Sequence, residues 1–462
     1  MSNWKEYRLG DCIEFIIDNR GKNPPLSDNG YELIETISIN SENKYPDYSK
    51  ISKFVSKDTY NNWFRKGPPK KGDILISTVG ANIGRVSIMN ENRGCIAQNL
   101  IGLRTDKEKL IPDYLYYFLI KKSTQHTLSS LNIGSAQPSI KVPHLLNILI
   151  NVPNIQKQEE IANILSSLDE KIELNTQINQ TLEQIAQALF KSWFVDFDPV
   201  RAKVQALSDD LSLEQAELAA MQAISGKTPE ELTALSQTQP ERYAELAETA
   251  KAFPCEMVEV DGVEVPKGWE QTTLSDICEM QNGYAFKSSD WMEQGIPVIK
   301  IGSVKPMIVE VEGNGFVSED YSKLKPDFLL KSGDILVGLT GYVGEVGRIP
   351  TGKIAMLNQR VAKFLPKEID KNHCFYNYIY CLARQSQFKE FAEMNAKGSA
   401  QANISTKELL KFPIIKANDE LHIFFENRVK ELLESILWNS QNSETLAKTR
   451  DLLLPRLLDG SI

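Results

Sequence analysis

The sequence predicts an α+β protein in which one unit of strands and turns occurs twice, and each copy ends in a long helix. Three observations support this prediction. Short motifs recur in the same order at a nearly constant offset, apolar β-branched runs alternate with Gly, Pro and Asn, and heptad spacings of apolar residues cover the end of each copy. At 462 residues the chain is also too long for one ordinary domain.

Three motifs of the first half recur in the second half. The pairs are Trp4 with Leu9-Gly10-Asp11 and Trp269 with Leu274-Ser275-Asp276, then Gly72-Asp73-Ile74-Leu75 and Gly333-Asp334-Ile335-Leu336, then Gly134-Ser135-Ala136-Gln137 and Gly398-Ser399-Ala400-Gln401. The first pair is offset by 265 residues and the last by 264, and Ile140 and Ile404 follow the last pair at the same spacing. Ordered matches at a nearly constant offset indicate a duplicated unit.

Within each copy, strands and turns come first and a short helix follows. Apolar runs rich in β-branched residues, such as residues 74–79, are interrupted by Gly, Pro and Asn, which is typical of strands joined by turns. The pattern predicts a short helix at Tyr114–Lys121 in the first copy and at Phe375–Arg384 in the second.

A long helix is predicted at the end of each copy, because apolar residues recur every seven positions. The predicted seam of the helix pair is Ile161, Leu168, Asn175, Leu182 and Leu189 in the first helix, and Phe425, Leu432, Asn439, Leu446 and Leu453 in the second. Ile164, Ile178 and Ile185 are expected to fill the alternate seam positions of the first helix. Helices with these repeats are expected to pack lengthwise as a coiled coil, each roughly 50–60 Å long.

These patterns divide the chain into five parts: a first block at 1–153, a first long helix at 154–200, an acidic connector at 201–267, a second block at 268–418, and a second long helix with the C-terminal segment at 419–462. Ser212 and Thr228 are each followed three residues later by Gln or Glu, which predicts two helix starts in the connector. The sequence assigns the connector no role beyond that of a mostly helical linker.

The net charge of -9 is distributed unevenly along the chain. Residues 1–150 carry 20 basic and 15 acidic side chains, and residues 268–418 carry 18 and 17, whereas residues 208–267 carry 4 and 13. The two blocks are therefore neutral to mildly basic, which permits DNA binding. The six cysteines form no CxxC motif, no signal-peptide core follows Met1, and no apolar run is long enough to span a membrane. We expect a reduced, cytoplasmic protein that has no membrane contact.

No motif in the sequence predicts catalysis or metal binding. Asn23-Pro24-Pro25-Leu26 is similar to the tetrapeptide of amino-group DNA methyltransferases, but it lacks the aromatic fourth residue and is interpreted as a turn. Ser225-Gly226-Lys227-Thr228 matches only the tail of a phosphate-binding loop. Asp169-Glu170-Lys171 lies in the heptad region and is interpreted as a solvated helix face. We therefore predict no catalytic residue, no metal ligand and no cofactor in this chain.

The order of block, long helix, block and long helix resembles the specificity subunit of type I restriction-modification systems over essentially the whole chain. Local signatures that carry the resemblance are the two Gly-Ser-Ala-Gln motifs, residues 189–199 (LFKSWFVDFDP), Pro266-Lys267-Gly268-Trp269, and residues 453–460 (LLPRLLDG). The second and the last of these are the most specific.

The resemblance implies two target-recognition domains, each reading one half of an interrupted sequence in double-stranded DNA. It implies that the long helices pair antiparallel and set the distance between the half-sites. It also implies two modification subunits that methylate adenine and restriction subunits that translocate and cleave DNA. The cofactors of such a complex, S-adenosylmethionine, ATP and Mg, are expected in the partner subunits.

Candidate DNA contacts are basic or amide residues in glycine-flanked loops, where side chains can reach phosphates or base edges. They are Arg20, Lys22, Lys70, Lys71, Asn82 and Arg85 in the first copy, and Lys287, Tyr342, Arg348 and Arg360 in the second. Gln137 and Gln401 are repeated, which favours a shared structural or phosphate-binding role. The residues that differ between the copies are expected to distinguish the two half-sites.

Asn175 and Asn439 interrupt the apolar seam at the same repeat position. In an antiparallel pair, equivalent positions meet only at the centre, so we expect these two side chains to lie opposite each other and to form a hydrogen bond, directly or through water. Two alternatives remain open at this point. One is a scaffold that joins two proteins through its helices without contacting DNA, and the other is a self-sufficient methyltransferase that binds a methyl donor.

Overall fold

The computed structural model describes residues 4–39, 43–80, 82–131, 139–398 and 401–462. The chain forms two compact units, one made of Met1–Glu173 with Glu444–Ile462 and the other of Leu174–Ser443. We call them the first and the second unit. Each contains one copy of the repeat together with part of each long helix.

The described residues of the first copy form nine strands, and the copy ends in a long helix. The strands are β1 (Lys5–Arg8), β2 (Ile13–Ile17), β3 (Tyr31–Ile34), β4 (Phe54–Val55), β5 (Ile74–Ser77), β6 (Val86–Ile88), β7 (Cys95–Ile96), β8 (Leu100–Thr105) and β9 (Leu149–Val152). The helices are α1 (Lys57–Asn62), α2 (Pro112–Ile120), α3 (Lys122–Ser130), α4 (Val142–Leu146) and α5 (Ile155–Phe194). The short helix predicted after the strands corresponds to α2.

Four helices and a hairpin form the connector between the copies. They are α6 (Asp198–Ser208), α7 (Leu213–Ser225), α8 (Pro229–Thr238), α9 (Pro240–Ala252), β10 (Met257–Val260) and β11 (Val263–Pro266). Ser212 begins α7 and Thr228 begins α8, and each forms a capping box with the residue three positions later. Both predicted helix starts in the connector are confirmed.

The second copy has more strands than the first, and it also ends in a long helix. The strands are β12 (Glu270–Thr273), β13 (Cys278–Asn282), β14 (Trp291–Met292), β15 (Ile296–Ile299), β16 (Met307–Ile308), β17 (Phe316–Val317), β18 (Leu329–Leu330), β19 (Ile335–Gly338), β20 (Val346–Arg348), β21 (Ala355–Leu357), β22 (Val361–Pro366) and β23 (Pro413–Lys416). The helices are α10 (Tyr321–Leu324), α11 (Tyr376–Ala383), α12 (Ser386–Met394), α13 (Thr406–Leu409) and α14 (Asp419–Leu458).

The sheets of the two copies share one topology. The order β2-β8-β5-β6 in the first copy corresponds to β13-β22-β19-β20 in the second, where β16 extends the sheet. Likewise β4-β3-β7 corresponds to β17-β15-β21, and β1-β9 to β12-β23. In both copies one pair of the second of these sheets is parallel, β3 with β7 in the first copy and β15 with β21 in the second. The duplication predicted from three short motifs therefore extends to the whole α+β unit.

The repeated Gly-Asp-Ile-Leu motif forms the turn that leads into β5 and β19. Gly72 and Gly333 adopt φ values of 89° and 85°, in the left-handed region that favours glycine. The following aspartates hold the turn closed. Asp73 accepts the Lys70 N–H at 2.6 Å and Asp334 accepts the Lys331 N–H at 2.8 Å. This motif is therefore repeated for a structural reason.

The LFKSWFVDFDP signature supplies aromatic side chains to the core of the second unit. Phe190, Trp193, Phe194 and Phe197 are all buried. The Phe194 ring packs edge-on against Phe425 of α14, with ring centroids 5.1 Å apart. These contacts join the end of α5 to the beginning of α14 within this unit.

The LLPRLLDG signature has the corresponding role in the first unit. Leu454, Leu457 and Leu458 of α14 are buried in the hydrophobic core of the first copy. The Lys121 ammonium also contacts the Asp459 carboxylate at 2.5 Å. Within the ranges given above, no helix has the length and apolar composition that crossing a membrane requires.

Both long helices contain 40 residues, and the contacts in the second unit show that they run antiparallel. Of the predicted seam, Ile161, Asn175, Phe425 and Asn439 are buried, and the remaining leucines are half-buried. The expectation for the alternate seam is wrong, because Ile164, Ile178 and Ile185 are exposed. The buried stripe of α5 in the second unit instead follows residues 175, 179, 183, 186 and 190, at the spacing of three and four residues that a 3.6-residue helical turn gives.

Candidate nucleic-acid interface

Several loops of the first copy meet at one end of its four-stranded sheet. Strands β2 and β5 finish at this end and β8 begins there, because β8 is antiparallel to both. The Thr78 N–H donates to the Asn99 carbonyl at 2.9 Å, and the Ile140 N–H donates to the Thr78 carbonyl at 2.9 Å. We call this surface, formed by residues 18–22, 65–67, 78–80, 82–85 and 97–99, the first loop end.

Four predicted DNA contacts lie at the first loop end. Arg20 and Lys22 follow β2, and Asn82 and Arg85 lie in the turn between β5 and β6. Arg20 donates Nε and Nη2 to the Asp18 carboxylate at 2.8 and 2.7 Å, and these hydrogen bonds hold the pKa of Asp18 below its usual value. The exposed Lys22 forms no ion pair with any residue in the described ranges. Lys22 is therefore the freer of these two cations.

The same surface contains basic residues that the sequence analysis missed. Asn19 joins two loops, because its Nδ2 donates to the Gly67 carbonyl at 3.3 Å and its Oδ1 accepts the Lys66 N–H at 3.2 Å. The exposed Arg65 and Lys66 are thereby held beside the turn that carries Arg20. The sequence does contain a signal for Arg65 and Lys66, because they directly precede Gly67. The other candidates were chosen as basic residues beside glycines.

The second copy has an equivalent surface at the matching end of the sheet β13-β22-β19-β20-β16. The Leu339 N–H donates to the Arg360 carbonyl at 3.0 Å, and the Gly341 N–H donates to the Ala402 carbonyl at 2.8 Å. The Gly283 N–H, just after β13, donates to a carbonyl at the start of β22 at 3.2 Å. We call this surface, formed by residues 283–284, 339–342, 358–360 and 401–403, the second loop end.

The second loop end presents polar and aromatic side chains to solvent. Tyr342 is 68% exposed, and Arg360 and Gln401 are also exposed. Lys287 lies in an exposed turn three residues beyond Tyr284. These side chains have the donor, acceptor and cationic groups that contact phosphates and base edges.

Tyr284 and Lys325 are further residues of this region that the sequence analysis missed. The Lys325 ammonium lies 5.2 Å from the centroid of the Tyr284 ring. Tyr284 itself contacts Phe328, with ring centroids 5.5 Å apart. No local sequence signal predicts this contact, because 40 residues separate Tyr284 from Lys325 along the chain.

Lys70 and Lys71 are placed away from the other candidates of the first copy. They lie in the turn before β5, where the Gly72 N–H donates to the Met89 carbonyl at 2.8 Å. This is the end of the sheet opposite the first loop end, because β5 starts here and β6 finishes here. Both lysines are exposed, but they share no surface with Arg20 and Lys22.

Two predicted arginine contacts are less accessible than expected. Arg85 is half-buried, and its Nη1 lies 3.5 Å from the Ile39 carbonyl. The expectation that Arg348 lies in an exposed loop is wrong, because it is 1% exposed in β20. Its Nη2 donates to the Leu433 carbonyl of α14 at 3.0 Å, and its guanidinium lies 4.2 Å from the Tyr380 ring centroid. Arg348 anchors the sheet to α14 and is too deeply buried to contact DNA.

The first Gly-Ser-Ala-Gln motif, with Gln137, and the Ser399 and Ala400 of its repeat lie outside the described residues. Gly398 adopts a φ of 110°, and the Lys397 and Asn403 backbones pair across the motif at 2.8 and 2.9 Å. Lys397 and Asn403 are therefore held together at the second loop end, and the role suggested for Gln401 stays a prediction.

A cluster of buried amides joins α5 and α14 in the second unit. Asn175 donates Nδ2 to the Ser443 hydroxyl at 3.1 Å and to the Asn439 carbonyl at 3.4 Å. Asn439 donates Nδ2 to the Asn179 Oδ1 at 2.9 Å, and Asn179 donates to the Ser440 hydroxyl at 3.2 Å. We call these residues the amide layer.

The structure brings Asn175 and Asn439 together, but their side chains do not bond to each other. Asn179 and Ser443 are separated by the repeat offset of 264 residues, as are Asn175 and Asn439. The bonds Asn175–Ser443 and Asn439–Asn179 are therefore the same contact made twice. Each amide reaches one helical turn past its equivalent on the other helix, so two crossed pairs form in place of a direct hydrogen bond between the two equivalent side chains.

Asp169 also differs from its interpretation as a solvated residue. Its carboxylate accepts the Tyr117 hydroxyl at 2.6 Å and pairs with the Arg450 guanidinium at 2.7 Å, and its side chain is 12% exposed. Asp169 thus ties the first block to both long helices within the first unit. A search of the described ranges finds no group of three or more His, Cys, Asp or Glu residues that could hold a metal ion.

Comparison with known protein families gives a match over both copies. The family described as "Type I restriction modification DNA specificity domain" matches residues 1–184 and 266–416. The specificity subunit of the type I restriction enzyme HindI from Haemophilus influenzae is 39% identical over 477 residues, covering 100% of both chains. The MjaVIII specificity subunit from Methanocaldococcus jannaschii is 25% identical over 480 residues, covering 100% of this chain and 93% of that relative.

A solved structure shares the fold. The crystal structure of the S subunit of a type I restriction-modification system from M. genitalium matches with a TM-score of 0.53 at 17% identity. The match covers 99% of this chain and 96% of that one.

Proposed function

The chain belongs to the specificity subunits of type I restriction-modification systems, and we propose from this that its two loop ends each read one half of an interrupted DNA sequence. The subunit is non-catalytic. The observation that carries the proposal is that equivalent ends of two equivalent sheets present different exposed side chains. A duplicated scaffold with different loop residues fits a target whose two halves differ in sequence.

The two loop ends supply the groups that duplex recognition requires. Lys22, Arg65 and Lys66 offer unburied cations at the first, and Arg360 does so at the second. Cations of this kind contact phosphates and can donate in pairs to guanine in the major groove. Tyr342 adds an exposed ring and hydroxyl at the second loop end.

We place the docking surface for modification subunits on the helix pair. In the second unit, Leu174, Ile178, Ile185 and Trp438 are exposed, and Trp438 is 62% exposed. Exposed apolar side chains that cluster on one surface favour a protein partner. Trp438→Ser should therefore reduce co-purification with the modification subunit, and Asn427→Ser, at an exposed position of the same helix, should not.

The proposed activities of the assembled complex are distributed among its subunits. We propose two modification subunits and restriction subunits as partners, with S-adenosylmethionine, ATP and Mg bound by those partners, and a cytoplasmic location where host DNA is accessible. A scaffold that joins proteins without touching DNA would keep the partners but show no salt-dependent DNA binding. That difference separates the alternative from the proposal.

Exchange of one block tests the proposal. Residues 1–150 are replaced by the same block of another specificity subunit, and the methylated sequence is read by methylome sequencing. Only one half of the target should change, because each loop end belongs to its own block. A change in both halves, or in neither, would contradict independent reading.

Point substitutions test the placement of the second reader. Arg360→Ala and Tyr342→Ala should weaken binding at the second half-site by about 1–3 kcal/mol when a base contact is lost. Lys331→Ala is the matched control, because Lys331 is an exposed cation at the opposite end of the same sheet. Equal loss of affinity in Lys331→Ala and Arg360→Ala would show that the wrong end of the sheet has been assigned to DNA.

A further inference from the structure

A cavity of about 320 Å³ lies between the acidic connector and the long helices, entirely within the second unit. Its walls come from the ends of α5 and α7, from α8 and α9, and from the first turns of α14. Its volume is at the lower end of the range for small-molecule sites. It is separate from both loop ends, which lie on the sheets.

The cations of the connector are distributed in a way that points to this cavity. Residues 208–267 carry only four basic side chains among 13 acidic ones. Lys251 pairs with Glu248 at 2.8 Å, and Lys267 pairs with Glu256. The other two, Lys227 and Arg242, form no ion pair within the described ranges, and both line the cavity.

A third cation approaches from the opposite wall. Arg428 of α14 lines the cavity and forms no ion pair with the residues described. Glu245 is the one carboxylate in the lining, so three cations face a single acid. In a strongly acidic segment, ion pairs for these three side chains would have been easy to form. The excess of cations over acids in this lining favours an anion.

The lining also has an apolar part. It consists of Ile224, Leu235, Leu246, Phe424 and Trp193. An inorganic ion would leave this surface without a partner. A ligand that carries both an anionic group and an apolar or aromatic body would satisfy the two parts together.

The turn at Ser225-Gly226-Lys227-Thr228 positions one of the cations. Gly226 has a φ of 66° and ends α7, while Thr228 caps α8, so the segment is a tight turn between two helices. The backbone N–H of Lys227 donates to the Ser225 hydroxyl at 3.3 Å. The turn therefore has no phosphate-binding loop geometry, but it directs Lys227 to the cavity that Arg242 and Arg428 also line.

We propose that this cavity binds a small anion with an aromatic or apolar body, of the size of a nucleoside monophosphate. Lys227, Arg242 and Arg428 contact the anionic group, and the apolar part of the lining holds the body. The connector is thereby a ligand-binding module of the specificity subunit, independent of DNA reading.

Isothermal titration of the full chain with adenosine 5′-monophosphate, inorganic phosphate and adenosine tests this. We expect saturable binding of one nucleotide per chain, with phosphate and adenosine each at least tenfold weaker. Arg428→Gln and Arg242→Gln should each weaken nucleotide binding by about tenfold, since a charged contact is lost. Arg428→Lys should retain most of the affinity.

Lys251→Gln is the matched control, because Lys251 belongs to the same connector but pairs with Glu248 away from the cavity. It should bind the nucleotide as the parent does, and unchanged melting temperatures would show that all variants are folded. The proposal is overturned by absence of saturable nucleotide binding, by phosphate binding as tightly as the nucleotide, or by equal affinities in Arg428→Gln, Arg242→Gln and the parent. DNA binding by the Arg428→Gln subunit should be unchanged, so failure here leaves the reading function untouched.

Discussion

Replacing one residue of the amide layer is expected to destabilise the helix pair, and replacing two is expected to restore it. Asn439 is 8% exposed and donates to the Asn179 Oδ1 at 2.9 Å. In Asn439→Leu this buried oxygen loses its donor and cannot reach water. In Asn179→Leu the buried Asn439 amide loses its acceptor in the same way. The double variant removes both polar groups and places two leucines against each other.

The magnitudes follow from the burial of both partners. An unsatisfied buried donor or acceptor costs about 1–3 kcal/mol, while the added apolar area of a leucine offsets part of this. Each single variant should therefore lower the free energy of unfolding by about 1–2 kcal/mol. The double variant should be at least as stable as either single one, which gives a coupling energy of about 1–3 kcal/mol.

The assay is urea unfolding of the four proteins of this double-mutant cycle, followed by circular dichroism. Asn427→Leu provides the control for helix propensity and added apolar area, since Asn427 is exposed on the same helix. Additive effects within about 0.5 kcal/mol would refute the argument that these two amides interact.

Two further changes have expected outcomes. His422 is buried beside the Phe194 ring, and burial lowers its pKa to about 3, with Lys416 contributing. Its neutral form stabilises the fold above pH 6.5, and this stability is lost as pH falls, by about 2 kcal/mol between pH 6.5 and 5. His422→Phe should lose less stability over that interval in parallel urea titrations, and identical pH profiles would contradict this. Inserting seven residues into each of α5 and α14 adds roughly 10 Å per helix, about 3 base pairs at 3.4 Å. The methylated target should then have a longer gap or lower affinity. The parental gap at full affinity would disprove that the long helices set the distance between the half-sites.

The repeat and the long helices could be predicted because their signals are periodic. Motifs at an offset of 264 or 265 residues do not depend on tertiary contacts, and the apolar spacing of a helix is a property of the sequence alone. The meeting of Asn175 and Asn439 also followed from symmetry, since an antiparallel pair of equivalent helices has one centre. The hydrogen-bond partners of these two amides did not follow from symmetry, because they depend on which turn of the opposite helix each side chain reaches.

Burial of single polar residues could not be predicted in the same way. Arg348 precedes a Pro-containing turn and has the local sequence of an exposed residue, but the carbonyl that accepts its hydrogen bond is 85 residues away. Asp169 is similarly held by Arg450, which is 281 residues away. Heptad spacing also placed Ile178 inside the seam. The spacing predicts an apolar helix face, but it does not show whether that face packs along the other long helix or turns toward a neighbouring domain. In each of these examples a long-range partner decided the outcome.

The two copies repeat the residues that set backbone geometry and differ in those that face solvent at the loop ends. Gly72 and Gly333 make the same turn, and the aspartates that follow them close it in the same way. In contrast, Arg20 corresponds to Ala285 in the second copy, at the offset of 265 residues that relates β2 to β13. On the proposed assignment of the loop ends to DNA, a change of half-site requires substitutions only in the loops, because interior contacts hold the backbone scaffold constant. Each half of the target can therefore change without disturbing the amide layer that aligns the helices.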